Sequence, residues 1–445
     1  QSDSRDLTAP EPLGDLDWWE VMPDPQLRAY VAEALINSWD IKAAAARVLQ
    51  AEAAARAARS QFLPAVGVGG DWTTARSSQR GAAAIPRGVD PEAEQFSAYA
   101  TMASYELDLW GRIRRANEAA RARLLATEAA RQTVLQTLVA QVATAYLSLL
   151  ELDYELEIAR NTLEASSDSL ALTTAREEGG VASMQDVQQA RILVATAQAA
   201  IAETHRRIEQ KENELSLLLG RNPGSPARGE GLLRQKLDVA VPPGLPSSLI
   251  DRRPDIRAAE QALVAANADI GQAKAAFFPQ VTLTGLYGYQ AVALSDLFSA
   301  PARTWQFGPA VSAPVFTGGA LRANLRLARA QFDEALAQYR RTVQTAFHEV
   351  SDALIAYQRT REFRVRQEER TEAHRSATDL ANTRYEGGVT SYLEVLYNEQ
   401  ELFTAELALA QARLNELLSV VQLYRALGGG WQEPAAPLET SRERN

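Results

Sequence analysis

Two copies of one order of segments make up this chain, and the repeat restricts the possible fold more than any other feature. The stretch WDIKAAAARVLQAEAAARAARSQFLPAVGV aligns with PDIRAAEQALVAANADIGQAKAAFFPQVTL, and the similarity returns further along both copies. The matched positions are Asp40 with Asp255, Pro64 with Pro279, Arg115 with Arg322, Gly179 with Gly387, and Gly220 with Gly428. The spacing changes only between the proline and the arginine, so one loop there differs in length. A repeat of this size predicts a pseudo-symmetric architecture.

Each copy ends in a predicted helical hairpin. Residues 176–189 read REEGGVASMQDVQQ and residues 384–400 read RYEGGVTSYLEVLYNEQ, and each stretch separates two long segments with helical periodicity. Glycine tolerates the positive φ that the end of a helix usually needs, so EGG should end one helix. We predict long helices from about Gly111 to Glu178 and from about Gly318 to Glu386, each about 100 Å long.

The long helices show the spacing of coiled coils. In the first of them, the apolar positions that alternate steps of three and four are Leu135, Leu138, Val142, Ala145, Leu149, Leu152 and Leu156. In the last helix they are Leu393, Leu396, Gln400, Phe403, Leu407, Ala410, Leu414, Leu417, Val421 and Tyr424, and a second seam is Ala405, Ala412, Ser419 and Ala426. Two seams predict neighbours on both sides of this helix. At its start we expect Thr390 or Ser391 to accept a backbone N–H, with Glu394 in the first turn.

Shorter helices precede the strands in each copy. We predict one helix from Pro25 to Asn37, and a second that Asp40 caps, from Ile41 to Leu63. Its counterpart in the second copy is a helix from Ile256 to Phe278 that Asp255 caps. Pro64 and Pro279 should end these two helices.

After each proline the apolar period changes from that of a helix to that of a strand. Segments of about ten residues alternate apolar or aromatic side chains with small or polar ones, which predicts two strands per copy, the last continuing to Val315. This pattern is typical of outer-membrane barrel strands and equally of a hairpin that covers a soluble core. The aromatic residues that would form a membrane-interface girdle are Trp72, Tyr99, Tyr105, Tyr287, Tyr289 and Trp305.

The predicted segments divide the chain as follows. Residues 1–24 form an irregular N-terminal segment, and residues 429–445 form a C-terminal tail. The first repeat is residues 25–220, with a β-hairpin at about 65–109 and a helical hairpin at 111–220. A Pro/Gly-rich connecting segment, residues 221–249, leads to the second repeat, residues 250–428, with a β-hairpin at about 280–315 and a helical hairpin at 318–428.

The composition excludes several classes of function. A net charge of −10 argues against a nucleic-acid partner, and the absence of cysteine rules out disulfides, thiolate metal sites and cysteine nucleophiles. The histidines, His205, His348 and His374, stand in no metal-binding motif, and no phosphate-binding or serine-nucleophile motif occurs. The sequence therefore predicts no enzyme, no metal and no cofactor. We find no apolar run of about 18 residues and expect no transmembrane helix, so any membrane contact must use strands or a lipid.

Four strands are too few to cross a membrane alone. An open sheet edge leaves backbone N–H and C=O groups unpaired in the bilayer, and a closed barrel needs about eight strands. If these strands enter a membrane, several chains must share one barrel, and the long helices would continue as a wall beneath it.

Several motifs make the chain similar to a known family. The motifs are WWEVMPDPQL at 18–27, SYELDLWGRIRRA at 104–116, RRPDIRAAE at 252–260, AKAAFFPQVTLTG at 273–285 and YRALGGGW at 424–431. With the duplicated layout, they resemble the outer membrane factor family of the TolC and OprM type, in the branch that serves resistance-nodulation-division efflux pumps.

The resemblance implies a fold that is mainly α-helical and an assembly in the bacterial outer membrane. It implies a homotrimer in which four strands per chain form one twelve-stranded transmembrane β-barrel in the outer-membrane lipid. The coiled-coil hairpins would form an α-barrel in the periplasm. It also implies a passive exit duct for drugs and other small solutes, driven by an inner-membrane pump through a periplasmic adaptor. Family members are often anchored by an acylated N-terminal cysteine, which this sequence does not contain.

The resemblance also implies a gate at the periplasmic tip. In the family, acidic residues ring the constriction and a tyrosine nearby helps to hold it shut. These positions are Glu394 and Tyr385, with Asp186 as the first-copy equivalent of Glu394. A second acid is common where this chain has Tyr397. The alternative is that Glu394 and Asp186 only favour the positive ends of their helices.

The helical tips would, by the same resemblance, contact the adaptor. They consist of Gly179, Gly180 and Val181 in the first copy and Gly387, Gly388 and Val389 in the second. Two other functions stay open at this point: the duct of a type I protein secretion system, and a soluble coiled-coil scaffold.

Overall fold

A computed structural model describes residues 18–235 and 249–429, apart from residues 79, 81–87 and 89. The helices are α1 (Trp18–Val21), α2 (Pro25–Asn37), α3 (Trp39–Ser60), α4 (Arg112–Glu178), α5 (Met184–Leu218), α6 (Leu249–Arg252), α7 (Pro254–Ala275), α8 (Ala320–Glu386) and α9 (Tyr392–Ala426). The strands are β1 (Gly67–Arg76), β2 (Glu92–Leu107), β3 (Gln280–Ala291) and β4 (Arg303–Ser312). Most of the predicted N-terminal segment, part of the connecting segment and almost all of the C-terminal tail lie outside the described residues.

The two long helices have nearly the predicted bounds, and both end at the Gly-Gly turns. The second glycine of each pair has positive φ, 73° at Gly180 and 70° at Gly388. Just beyond each turn the chain folds back, because Val181 N donates to the carbonyl of Arg176 and Val389 N donates to that of Arg384, both at 2.9 Å. The hairpin turns predicted from the two Gly-Gly pairs are therefore confirmed.

Helix α2 has the predicted bounds, Pro25–Asn37, whereas α3 and α7 differ from the prediction at both ends. Helices α3 and α7 begin before Asp40 and Asp255, so neither aspartate is an N-cap residue. The carboxylate of Asp255 instead forms an ion pair with Arg253 at 2.7 Å. Both helices also end several residues before Pro64 and Pro279, because a residue that precedes proline is pushed out of the α region.

One antiparallel sheet has the strand order β1-β2-β3-β4. β2 of the first copy pairs with β3 of the second, for example Tyr99 with Gly288. β2 spans 16 residues rather than about ten and contains a bulge between Met102 and Tyr105. β4 ends at Ser312, not at Val315, because Ser312 pairs with Gln280, the first residue of β3, and no further residue of β3 remains to pair.

Two compact units can be distinguished, and each takes segments from both copies. One unit consists of the described parts of residues 1–47, 128–257 and 340–445, and the other of residues 48–127 and 258–339. The core of the first unit is built on the predicted seam of α4, whose seven residues from Leu135 to Leu156 are all buried. The small residues of α9 are buried as well: Ala405, Ala412, Ser419 and Ala426.

A buried polar network attaches the connecting segment to α4 in the first unit. The hydroxyl of Tyr146 donates to Asp24 Oδ2 at 2.9 Å and accepts from Gly229 N at 3.0 Å. Gln235 Nε2 donates to the same carboxylate oxygen at 2.6 Å. Burial, and then the hydrogen bond to Asp24, raise the pKa of Tyr146 above its usual value. A Cβ on Gly229 would meet the Tyr146 hydroxyl at 2.8 Å, so glycine is needed at this close approach.

In the part of the chain that the structure describes, one helix has the length and composition to cross a membrane, which the sequence analysis did not expect. It is α4, where a window of 18 residues has a mean hydropathy of 1.4. Of that window, 61% is buried inside the protein. Burial in a protein core accounts for such apolar composition.

Candidate functional site

The two helical hairpins meet near their turns in a small apolar core. This tip cluster consists of Ala190, Ala381, Tyr385, Tyr392 and Val395, with Leu170 and Leu396 packed against it. Its members come from α4, α5, α8 and α9. The cluster therefore joins both hairpins of one chain next to the predicted gate residues.

Tyr385 lies inside the tip cluster rather than on a free surface. Its side chain is only 7% exposed, and its ring centroid lies 5.5 Å from that of Tyr392. The guanidinium carbon of Arg176 lies 4.3 Å from the centre of the Tyr385 ring. The Tyr385 hydroxyl is buried and has no hydrogen-bond partner in the described part of the chain.

Tyr392 is a member of this cluster that the sequence analysis missed. It is almost fully buried, and Ser169 Oγ donates to its hydroxyl at 3.2 Å. Burial raises the pKa of Tyr392 to about 12. The sequence held one signal that Tyr392 belongs to the cluster: it is the first residue of α9 and follows Tyr385 across the turn.

Glu394 is paired within its own hairpin. Arg384 Nη1 donates to Glu394 Oε1 at 2.7 Å, and the Thr390 hydroxyl donates to the other carboxylate oxygen. Ser391 has the extended backbone of an N-cap residue, but its side chain makes no capping hydrogen bond. The expectation that Thr390 or Ser391 accepts a backbone N–H is therefore wrong.

Asp186 behaves differently from its second-copy equivalent. Its carboxylate accepts from the backbone N–H of Ser183 at 3.0 Å, and the Ser183 hydroxyl accepts from Asp186 N at 3.2 Å. Together these bonds form a capping box at the start of α5. Glu394 has one more methylene group, which lets its carboxylate extend away from the helix start to Arg384. Tyr397 lies one turn after Glu394 and is 63% exposed.

Buried carboxyl groups form a second feature that the sequence analysis missed. Glu151 is 1% exposed within the seam of α4, and Glu155 forms an ion pair with Arg207 of α5 at 2.5 Å. Burial, followed by the hydrogen bond and charge of Glu155, raises the pKa of Glu151. Burial also raises the pKa of Glu399 in α9 to about 7. The sequence held a signal for the burial of Glu151, because this residue stands between two leucines of the heptad seam.

The six predicted girdle residues divide into two groups in the second unit. Trp72, Trp305 and Tyr287 are exposed. Tyr105 donates its hydroxyl to the carbonyl of Phe62 at 3.1 Å, and Tyr289 packs edge-on against Phe298. Tyr99 covers the glycines on both neighbouring strands, since a Cβ on Gly69 or Gly288 would meet it at less than 3.0 Å.

The residues of the two turns face solvent. Val181 is 79% exposed and Val389 is 73% exposed, although both are apolar. All four glycines of the two turns are exposed too: Gly179, Gly180, Gly387 and Gly388. Long paired helices with exposed apolar turns, joined to a sheet with exposed tryptophans, are features of a membrane channel with an α-helical extension.

Comparison with known proteins gives the family. The sequence profile of the outer membrane efflux protein family matches residues 30–221 and 245–429. The chain belongs to this family. It is 39% identical to the probable efflux pump outer membrane protein SepC of Pseudomonas putida, over 94% of this chain and 86% of that protein. It is 38% identical to the outer membrane protein OprJ of Pseudomonas aeruginosa, over 95% of this chain and 88% of that protein.

Solved structures with the same fold are outer-membrane channels. The outer membrane protein VceC of Vibrio cholerae is similar with a TM-score of 0.87 and 30% identity, over 93% of this chain and 99% of that chain. The open state of the MtrE channel of Neisseria gonorrhoeae is similar with a TM-score of 0.86 and 31% identity, over 97% of this chain and 95% of that chain.

The protein is thus the outer-membrane exit duct of an efflux pump, and the family, fold, location and function predicted from its motifs are confirmed. Its relatives are channel proteins, and a soluble scaffold finds no support among them.

Proposed function

We propose that three copies of the chain form the duct, with one twelve-stranded barrel in the outer membrane. The observation that carries this proposal is the open sheet, in which β1 and β4 each pair with a single strand among the described residues. In a bilayer the outer edges of β1 and β4 must pair with other copies, since unpaired backbone groups cost several kcal/mol each there. Four strands per copy and the family resemblance together select three copies.

The exposed aromatic residues of the sheet support its place in the membrane. Trp72, Trp305 and Tyr287 present amphipathic rings to the surroundings, as residues at a membrane–water interface do. In our proposal all six predicted aromatics, the others being Tyr99, Tyr105 and Tyr289, belong to the interfacial girdle, and these three anchor it in the lipid.

The duct exports small organic solutes and takes its energy from partners. Similar proteins carry names such as toluene efflux pump outer membrane protein and antibiotic efflux pump outer membrane protein. By analogy, an inner-membrane pump drives export through this chain, and a periplasmic adaptor joins the two. The adaptor contacts the exposed turns: Gly179, Gly180 and Val181, and Gly387, Gly388 and Val389.

The gate lies at the same end, where Glu394 and Tyr385 restrict the duct. In a trimer, three copies of Glu394 around one axis attract cations, while the ion pair with Arg384 holds the start of α9 to the end of α8. Tyr397 places an exposed aromatic ring one turn further along α9, and Asp186 contributes through its capping box at the start of α5.

Single-channel conductance in planar bilayers tests the gate. Glu394→Ala frees Arg384 and Thr390, and we expect conductance to rise severalfold. Adding Tyr385→Phe should raise it further if the hydroxyl of Tyr385, which has no hydrogen-bond partner among the described residues, bonds to a neighbouring copy. The matched control is Glu362→Ala, which removes an exposed, ion-paired carboxylate from α8 far from the turn. Equal conductance in all four proteins would reject these residues as gate elements.

A further inference from the structure

One arginine crosses from the first helical hairpin to the second at the tip. Arg176 lies in the last turn of α4, and its Nη1 donates to the carbonyl of Tyr385 at 3.0 Å. Its Nη2 donates to the carbonyl of Glu386 at 3.1 Å. These carbonyls lie at the C-terminal end of α8, which carries partial negative charge, and the Tyr385 carbonyl also accepts from Gly388 N at 3.0 Å. The guanidinium thus neutralises the end of a helix that belongs to the other copy of the repeat.

The same guanidinium also stacks on the ring of Tyr385. Its carbon lies 4.3 Å from the ring centroid, within the range of a cation–π contact. Arginine suits this place because its planar fork can donate to two oxygens while its face covers an aromatic ring, which an ammonium group cannot do. We call these contacts among Arg176, Tyr385 and Glu386 the arginine bridge.

The repeat shows that the bridge is not a general property of the turn. The second-copy equivalent of Arg176 is Arg384, which pairs with Glu394 of its own hairpin. The first-copy equivalent of Tyr385 is Glu177, which offers no ring. Two turns of closely similar sequence therefore use their arginines differently: one within a hairpin and one between hairpins.

We propose that Arg176 is a positioning residue of the gate, which holds the end of α8 and the ring of Tyr385 against the end of α4. The chain that follows this helix end forms the turn and leads directly to Glu394, so displacement of the helix end displaces the proposed constriction. The proposal rests on the gate function proposed above. In this proposal the guanidinium of Arg176, on the first hairpin, holds α8 of the second hairpin in its closed position.

Spin labels measure the bridge directly, because the chain contains no cysteine that would compete for label. Cysteines replace the exposed Val181 and Val389, one on each turn, in one protomer of an assembly whose other copies are unlabelled. In the parent, the distance between the two labels should have a narrow distribution. In Arg176→Gln the distribution should broaden and shift to longer distance. In Arg359→Gln, the control, it should stay narrow, because that exposed arginine pairs with Glu362 within α8, far from the turns.

Conductance of the same variants separates this proposal from the gate itself. Arg176→Gln should raise conductance about as much as Glu394→Ala, and Arg176→Lys should fail to restore the parent value. An unchanged label distance in Arg176→Gln overturns the proposal, and so does parental behaviour of Arg176→Lys. A rise in Glu394→Ala without one in Arg176→Gln keeps the gate and overturns the role of Arg176. A broadened distance with parental conductance in both variants rejects the gate and leaves the bridge a packing contact.

Discussion

Glu151 is a carboxyl group enclosed by the apolar seam of α4, and its environment decides its charge. Glu155 lies one turn away on the same helix, and Arg207 of α5 binds Glu155 rather than Glu151. Lys211 and Glu214 of α5 line the adjacent cavity of about 390 Å³, to which α9 contributes no charged group. With a raised pKa, Glu151 favours the protonated form, which can share a hydrogen bond with Glu155.

We predict that Glu151→Gln removes a pH dependence of stability. Native Glu151 has a higher pKa than the free residue, whose pKa is about 4.3, so the wild-type protein loses stability as pH rises from there through the native pKa. An amide keeps the hydrogen bond and does not ionise. The variant should therefore gain stability relative to wild type between about pH 5 and about pH 8, by about 1–3 kcal/mol.

Thermal unfolding followed by circular dichroism at a series of pH values measures this difference. Glu157→Gln is the control, because this neighbouring glutamate on α4 is exposed. A pH-independent difference between Glu151→Gln and wild type would contradict the buried, protonated carboxyl.

The sequence predicted the positions of the gate candidates better than their contacts. Tyr385 and Glu394 both lie at the predicted turn, because glycine pairs fix where the helices end. That Tyr385 is buried under Arg176 and that Glu394 binds Arg384 depends on side chains from other turns. Such contacts follow from the packing of helices, which periodicity alone does not specify.

Helices α5 and α9 start at equivalent serines with different capping. Ser183 caps α5 through a complete capping box, whereas the Ser391 side chain makes no capping bond at α9. A sequence cannot separate the two cases, because both serines are followed three residues later by an acid. Helix bounds were predicted within a few residues where glycine ends a helix, and less well where aspartate was taken as a cap.

We predict that Ser183→Ala destabilises the first turn of α5 by about 1 kcal/mol, the usual value of an N-cap hydrogen bond. Amide hydrogen exchange in residues 184–188 should become severalfold faster. Ser391→Ala is the matched control, and exchange in residues 392–396 should change little. Similar acceleration in the two variants would show that the caps do not differ as described.

The four-stranded sheet was predicted in strand number and approximate place, but its pairing was not. The central pairing of β2 with β3 joins residues from different copies of the repeat, and alternation within a strand carries no information about such distant partners. The length of β2 was underestimated for a related reason, since its first residues, beginning at Glu92, lack the apolar alternation.

We predict that the intact protein purified in detergent has the mass of three chains. Each chain has 48.6 kDa, and the protein part of the complex should have three times this mass in light scattering or native mass spectrometry. The outer edges of β1 and β4, which have no partner strand among the described residues, would be paired in such a closed ring. A detergent-solubilised single chain that still conducts in bilayers would contradict the shared barrel.

The pairing of β2 with β3 has a consequence for the origin of the chain. A half-length chain would carry one β-hairpin and one helical hairpin, and it would need six subunits to build the ring that we propose for three chains. Because one chain carries both tips at separate positions, a substitution in one tip does not appear in the other. The different partners of Arg176 and Arg384 show that the two tips differ in their contacts.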